Sequence, residues 1–297
     1  MRGLANMRFA VALILLWIGC PSWALDPIES VRATPQGIYV NGEPFFPVGV
    51  GHAAHWHHRW KKAAETGFNC VTTCGKTPED FRRDIDYSYV WGMYSVCYLG
   101  NGVWKDRELT REIILACRRA PGLLAWELED EPNSGAGPNN DAGPYQYPPE
   151  ILMDTYRMIK RLDPKHPVVV NLMHGAPQAY QDYAVCSDIQ SGDIYPVEGH
   201  TPNTVPPENM AAVGRYVDAI KSAGETPWIW LQMSSMTDTT RRPPNITEVR
   251  SMTEIALAHG ATAIRYLAFH INGWNVYDDP ELWQDWKDFI AELQREQ

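Results

Sequence analysis

Short apolar runs alternate with longer amphipathic stretches from about residue 45 to the end of the chain. The apolar runs predict eight strands, and the amphipathic stretches predict helices between them. The predicted strands are 45–50, 69–73, 93–98, 123–131, 167–172, 187–195, 228–233 and 262–269. The predicted helices are 59–66, one that begins at 78, 106–119, 148–162, 178–183, 206–223, 246–259 and 280–295. Regular alternation implies parallel strands, because each helix carries the chain back to the start of the next strand.

Turn and cap residues mark the ends of these elements. Thr77 followed by Pro78 is typical of a helix start, and Gly260 is typical of a helix end. Upstream, Asn41-Gly42 lies between two apolar stretches and predicts an antiparallel hairpin ahead of the first barrel strand.

The pattern predicts an α/β fold, a single (β/α)₈ TIM barrel over residues 25–297 with a small N-terminal β-hairpin. The length fits, since such barrels typically take about 250 residues. An open doubly wound sheet is disfavoured, because no GxGxxG turn follows the first strand. Residues 135–148 are rich in Gly, Pro and Asn, and they follow strand four, where barrels keep their active-site loops.

Residues 1–24 have the pattern of a secretory signal peptide. Two arginines precede an apolar run, and Ser22-Trp23-Ala24 ends in small residues, so we expect cleavage after Ala24. The run is shorter than the ~20 residues that span a bilayer, so no transmembrane segment is expected in the mature chain. The chain is therefore predicted to be exported, either periplasmic or secreted. Acylation of Cys20, giving a lipoprotein, is the alternative.

Composition and net charge limit the kinds of molecule that the chain is expected to bind. The net charge of −10 and the absence of a basic block argue against nucleic acid and anionic membranes as partners. Twelve tryptophans and fourteen tyrosines suit either a core or stacking platforms for sugar rings. Five cysteines follow the signal, an odd number that leaves at least one outside any disulfide.

Strand four carries the strongest chemical signal. Glu127, Glu129, Asp130 and Glu131 crowd its end, and period-two alternation predicts that the three glutamates share a face unless the strand bulges. Arginine partners within the barrel are the structural explanation for Glu127 and Glu129. Glu131 lies at the strand end, where barrel enzymes place catalytic groups, and like-charged neighbours would raise a pKa toward that of a general acid.

The run Asp130-Glu131-Pro132 resembles the acid/base motif of clan A glycoside hydrolases, which usually reads Asn-Glu-Pro. The hairpin Asn41–Pro44, the run Asp193–Pro196 and the strand Pro227–Gln232 extend the resemblance over most of the mature chain. The resemblance implies a glycosidase acting on a poly- or oligosaccharide without a cofactor. It implies that Glu131 protonates the glycosidic oxygen and that Asp130 contacts the sugar.

The chain departs from that pattern at strand seven, where Gln232 stands in place of the nucleophilic glutamate. Three hypotheses follow. Another carboxylate takes over, Asp193 first and Asp238 next, and would invert the anomeric centre if it stood ~6.5–9.5 Å from Glu131. Alternatively, the substrate supplies its own nucleophile and Gln232 orients it. Finally, the barrel binds glycans without cleaving them.

Other strand ends supply further candidates. His52, Asn171, Tyr195 and Trp274 are predicted to contact substrate, together with Asp130 and Gln232. The histidine-rich run 52–58 favours hydroxyl contacts over a metal, and a metal-dependent hydrolase is kept as a rival.

Overall fold

The computed structural model describes residues 25–51, 57–135, 145–173, 175–199, 204–235, 242–271 and 273–297, and the side chains of His57 and His58 are not described. Eight parallel strands close into one barrel, which confirms the predicted (β/α)₈ fold. The barrel strands are β4 (Val48–Val50), β5 (Cys70–Thr73), β6 (Tyr94–Tyr98), β7 (Leu123–Asp130), β8 (Val168–Leu172), β9 (Ile189–Ile194), β10 (Thr226–Gln232) and β11 (Ala263–Leu267).

A helix follows every barrel strand. The helices are α1 (His57–Thr66), α2 (Pro78–Val90), α3 (Arg107–Cys117), α4 (Pro149–Leu162), α5 (Pro177–Tyr183), α6 (Pro207–Ser222), α7 (Ile246–His259) and α8 (Pro280–Glu296). The cap chemistry explains their starts: the Thr77 side chain accepts the N–H of Asp80, and Asn245 forms a capping box with Glu248. The left-handed φ of 96° at Gly260 ends α7 as its sequence predicts.

The N-terminal sheet has one strand more than predicted. Strands β2 (Gly37–Val40) and β3 (Glu43–Phe45) form the expected hairpin around Asn41-Gly42, and β1 (Val31–Thr34) adds to its edge. Ile28, Ile38 and Val40 pack with Tyr94 and Trp228 from the barrel interior. The sheet therefore covers the N-terminal end of the barrel, opposite the strand ends where a barrel active site lies.

Aromatic residues fill much of the core. Trp60, Trp126, Trp228 and Trp286 are fully buried, which accounts for a third of the tryptophans as packing. Two apolar clusters lie between the strands and the helices, and a third fills the lower barrel interior. The barrel is therefore closed and packed below its C-terminal end.

After β11 the chain forms a two-stranded hairpin, β12 (His270–Ile271) with β13 (Trp274–Asn275). The peptide bond between Leu267 and Ala268, next to this hairpin, is cis. In the described parts of the chain, the five cysteines form no disulfide. No helix among those residues is both long and apolar enough to cross a membrane.

Candidate active site

A buried ion pair crosses the barrel interior below its C-terminal end. The guanidinium of Arg265 on β11 donates to both carboxylate oxygens of Glu127 on β7, at 2.9 and 2.7 Å. It also donates to Thr72 Oγ1 at 2.6 Å and lies 3.8 Å from the ring centroid of Trp230. The pair is 1% and 4% exposed, so the expected arginine partner of Glu127 is found.

Glu129 has different partners from those expected. Its carboxylate accepts the indole N–H of Trp104 at 2.6 Å, the hydroxyl of Tyr98 at 3.3 Å and the backbone N–H of Asn101 at 3.3 Å. The prediction of an arginine partner for Glu129 is therefore wrong, because neutral donors at the end of β6 and in the β6–α3 loop satisfy its carboxylate. Its role is to hold that loop against the end of β7.

A change of register near the end of β7 also breaks the predicted alternation. The pairing with β8 shifts between Glu127 and Asp130, so these two residues, three positions apart, both line one cavity. A regular strand would have placed them on opposite faces.

Glu131 lies in the turn that leaves β7. Its φ of 46° is left-handed, and its N–H donates to the carbonyl of Asn171 at 3.0 Å. Asn133 fixes the same turn, because its side chain exchanges two hydrogen bonds with the backbone of Met173 at 2.9 and 3.0 Å. These contacts fix the backbone that carries the Glu131 carboxyl, which is partly exposed.

Asp193 on β9 lies in direct contact with Glu131. It is 8% exposed. Burial raises its pKa well above the usual range, and the hydrogen bond that it donates to the Glu131 carboxylate and the nearby charges of Glu131 and Asp130 raise it further. The hydroxyl of Tyr195 also hydrogen bonds to Asp193. Asp193 is therefore the member of this carboxyl pair that holds a proton, which it donates in the hydrogen bond to Glu131.

A cavity of about 170 Å³ is lined by Asp130, which precedes Glu131 in the chain, and by Tyr195, which hydrogen bonds to Asp193. Glu131 and Asp193 themselves are not among its lining residues. Its described lining combines aromatic, carboxylate, amide and hydroxyl groups: Gly51, Thr72, Cys74, Tyr98, Asn101, Glu127, Asp130, Asn171, Tyr195, Trp230 and Leu267. Pockets for drug-sized ligands measure roughly 300–1,000 Å³. The described cavity is therefore smaller than a typical drug-sized pocket.

Asp130 and Asn171 face this cavity together. Asn171 Nδ2 donates to Asp130 Oδ1 at 2.8 Å. Burial raises the pKa of Asp130 to about 7, the hydrogen bond from Asn171 opposes the rise, and the carboxylates of Glu131, Glu127 and Glu129 add to it. Asp130 nevertheless keeps solvent-exposed surface, since it opens onto the cavity.

Gln232 is not part of the described cavity lining. Its side chain is fully buried. Its carboxamide accepts the N–H of Val197 at 2.9 Å and donates to the carbonyls of Val197, Ser234 and Arg242 at 2.9, 3.1 and 2.9 Å. These bonds tie the segment after β9 to the segment after β10. The structure therefore gives Gln232 a structural role in place of the predicted contact with substrate.

Of the remaining predicted site residues, some line the cavity and others do not. Asn171 and Tyr195 line the cavity. Trp274 does not line it; the ring is half-buried in the β12–β13 hairpin and packs on the outer apolar cluster. His52, His55 and Asp238 lie outside the described residues. Among the described residues no group of three or more His, Cys, Asp or Glu side chains is arranged to hold a metal ion.

Sequence reasoning missed Trp230 and Asn101 in the cavity. Trp230 lies two residues before the end of β10, and a search of strand ends alone passes over it. Side chains two positions apart on a strand point to the same face, so Trp230 could have been predicted to share the inward face of Gln232. Asn101 belongs to a loop whose place depends on Glu129, which local sequence does not reveal.

Part of the chain matches a known family of proteins. Residues 149–272 match the model of glycoside hydrolase family 42, described as beta-galactosidase. The match covers less than half of the chain and begins after Glu131, but it includes Asn171, Asp193 and Gln232. No curated protein matches the chain.

Solved structures share the fold. A beta-1,4-D-mannanase from Cryptopygus antarcticus aligns with a TM-score of 0.61 at 13% identity, over 88% of this chain and 94% of that one. A β-glucuronidase from Ruminococcus gnavus, in complex with D-glucuronic acid, aligns with a TM-score of 0.59 at 15% identity, over 81% of this chain. The chain spans only 45% of that glucuronidase. The partial family match and the shared barrel confirm the resemblance to clan A glycoside hydrolases.

Proposed function

We propose that the chain is a glycosidase in which Glu131 donates the proton to the glycosidic oxygen. The observation that carries the proposal is the contact between Glu131 and Asp193, whose neighbours Asp130 and Tyr195 line the cavity. A general acid needs a proton near neutral pH, and buried Asp193, which hydrogen bonds to Glu131, keeps one there. The partial family match supports the reaction class.

In this mechanism Asp193 is a positioning residue and not the second catalytic carboxylate. Acid and nucleophile stand about 5–5.5 Å apart in retaining glycosidases, and acid and base stand ~6.5–9.5 Å apart in inverting ones. Hydrogen-bonded oxygens are only about 2.5–3.0 Å apart, which leaves no room for a water or an anomeric carbon between them. Asp193 instead supplies the proton and orients Glu131.

The reaction then needs one proton and one water. The proton of the carboxyl pair passes to the leaving oxygen as the glycosidic C–O bond breaks. Water then adds to the anomeric carbon, directly or after a covalent step, and the proton that the water loses restores the protonated carboxyl pair. Asp130 faces the same cavity and is proposed to hydrogen bond to the sugar ring. Asp238, or a nucleophile carried by the substrate, remains a hypothesis for the group opposite the acid.

The test is a hydrolysis screen of the chain from Leu25 onward with β-galactosides, β-mannan and β-glucuronides, the linkages named by the family and the two structural neighbours. Glu131→Gln should lower kcat/KM by about 10²–10⁴-fold. Glu254→Gln, which removes one charge from the exposed side of α7, is the matched control and should leave the rate unchanged. The product anomer, read by NMR, separates retention from inversion.

Asp193→Asn tests the positioning role through the pH–rate profile. Without the second carboxyl, the remaining acid loses its proton more readily, so the alkaline limb of the profile should move to lower pH. A variant that loses activity with no shift in that limb would assign Asp193 only a structural role.

A glycan-binding barrel without catalysis is the second candidate, and Gln232 in place of the expected glutamate favours it. It predicts that sugars bind and that no substrate is cleaved. Cleavage that survives in Glu131→Gln would instead overturn the assignment of the acid.

We also propose that the chain acts after export, because residues 1–24 have the signal-peptide pattern. Mass spectrometry of the protein from the exported fraction should find an N-terminus at Leu25. A lipid on Cys20 would identify the alternative.

A further inference from the structure

Among the described residues, the acids around the cavity outnumber the cations that contact them. Glu127 is compensated by Arg265, and in the Glu131–Asp193 pair Asp193 holds a proton. Glu129 accepts only neutral donors. Asp130 receives a neutral amide from Asn171, and no described lining residue is Lys, Arg or His.

Asn171 adds a second, independent observation. The residue is 2% exposed and lines the cavity. Its Nδ2 is engaged by Asp130, so the amide orientation is fixed, and among the described residues its buried Oδ1 has no hydrogen-bond partner. A buried acceptor without a donor is costly, so a donor from a bound ligand would relieve it.

Asp130, whose pKa of about 7 leaves it partly ionised at neutral pH, and Asn171 therefore offer a negative charge and an open acceptor side by side. A bound cation would favour the ionised form of Asp130. An ammonium group carries three donors and one positive charge, which suits both. A neutral hydroxyl satisfies the acceptors without using the charge. A carboxylate would bring like charge next to Asp130 with no described cation left to receive it.

We propose that this cavity selects amino sugars, whose ammonium group is bound by Asp130 and Asn171, over the corresponding neutral sugars and uronic acids. The proposal rests on the proposed function only in taking a sugar as the ligand. It distinguishes this barrel from the Ruminococcus gnavus enzyme of the same fold, which was solved with D-glucuronic acid.

Binding measured by calorimetry tests the preference without relying on hydrolysis. The probes are D-glucosamine, D-galactosamine and D-mannosamine, each beside its neutral parent and its uronic acid, at pH 7 and low salt. At least one amino sugar should bind about tenfold or more tightly than its neutral parent, the difference typical of a hydrogen bond to a charged group. The uronic acid should bind most weakly.

Asp130→Asn removes the charge but retains a side chain that can pair with Asn171. It should bring the amino sugar to within about threefold of its neutral parent, while Glu254→Gln should keep the full preference. Equal binding of amino and neutral sugars, a preference that survives in Asp130→Asn, or no binding of any amino sugar would each overturn the proposal. If neutral glycosides are cleaved in a Glu131-dependent way and no amino-sugar preference is found, the proposed function stands and this inference fails.

Discussion

Glu127 and Asp193 are both buried carboxyl side chains of barrel strands, but their charges are compensated in different ways. Glu127 lies against a guanidinium that holds both of its oxygens. Asp193 contacts another carboxyl and a tyrosine hydroxyl, and one of its oxygens, Oδ1, has no hydrogen-bond partner among the described residues. Both carboxylate oxygens of Glu127 therefore have hydrogen-bond donors, whereas one oxygen of Asp193 has no partner among the described residues.

The difference separates a structural pair from a chemical one. Arginine stays charged at every ordinary pH, so the Glu127–Arg265 pair has no proton to transfer near neutrality. Asp193 keeps a proton because it is buried and because the adjacent carboxylate of Glu131 would repel a second negative charge. Acids of the same barrel therefore serve stability in one place and are available for proton transfer in the other.

Arg265→Met removes one partner of the Glu127–Arg265 pair and should cause the largest loss of unfolding free energy among the variants considered. Removing one partner of a buried ion pair typically costs about 3–5 kcal/mol, because the remaining charge is left uncompensated. Urea unfolding at pH 7 measures the loss. Arg250→Met is the matched control, since its pair with Glu292 is about 40% exposed and should contribute at most about 1 kcal/mol.

The double variant Arg265→Met with Glu127→Leu should recover most of the stability lost in the single variant, because no charge is left buried. A single variant that loses less than the Arg250→Met control would show that the buried pair is not structural.

Gln232→Glu extends the comparison to a buried polar group that carries no charge. A carboxylate there would face three backbone carbonyls that now receive the amide N–H groups. The unfolding free energy should fall by at least about 2 kcal/mol, the range for buried groups left without partners. Hydrolysis should not increase, because the side chain is not in the described cavity lining.

Gln36→Glu, on an exposed turn of the N-terminal sheet, is the control and should change stability by less than about 0.5 kcal/mol. A stable Gln232→Glu variant with new hydrolytic activity would show instead that this side chain reaches the substrate.

The carboxyl pair itself predicts a slope of stability with pH. Above about pH 4 the unfolded chain releases the Asp193 proton, whereas the native state, whose Asp193 pKa is raised, keeps it. Because the native state then binds more protons, stability should fall by about 1.4 kcal/mol per pH unit until the native group also ionises. Asp193→Asn should remove this component, as measured by urea unfolding from pH 4.5 to 7.5. Curves for the two proteins that run parallel would contradict a raised pKa at Asp193.

The fold was largely predictable from the sequence, because strands and helices each have their own local spacing of apolar residues. Predicted and observed bounds of α7 coincide at 246–259, since Asn245 and Gly260 supply strong caps. Strand β1 was not predicted. It forms by pairing with β2 of the hairpin that follows it, and the apolar and polar residues of β1 alone do not indicate that pairing.

The site was predictable only in part. Position on a barrel strand end is enough to identify Glu131, Asp130, Asn171 and Tyr195 as neighbours. The contact between Glu131 and Asp193 depends on the left-handed turn at Glu131, and the partners of Glu129 depend on a loop from another strand. Gln232 was interpreted from its position alone, whereas its role follows from backbone groups of two distant segments.

The N-terminal segment has a practical consequence for how this protein is held. Backbone carbonyls of Leu25 and Asp26 accept the hydroxyls of Tyr89 and Tyr94, and Ile28 donates its N–H to the carbonyl of Pro121. Residues 25–28 are thereby fastened beneath the barrel, on the side away from the cavity. A tether joined at residue 25, whether a lipid-bearing leader or an affinity tag, therefore attaches the molecule with its cavity facing away from the point of attachment.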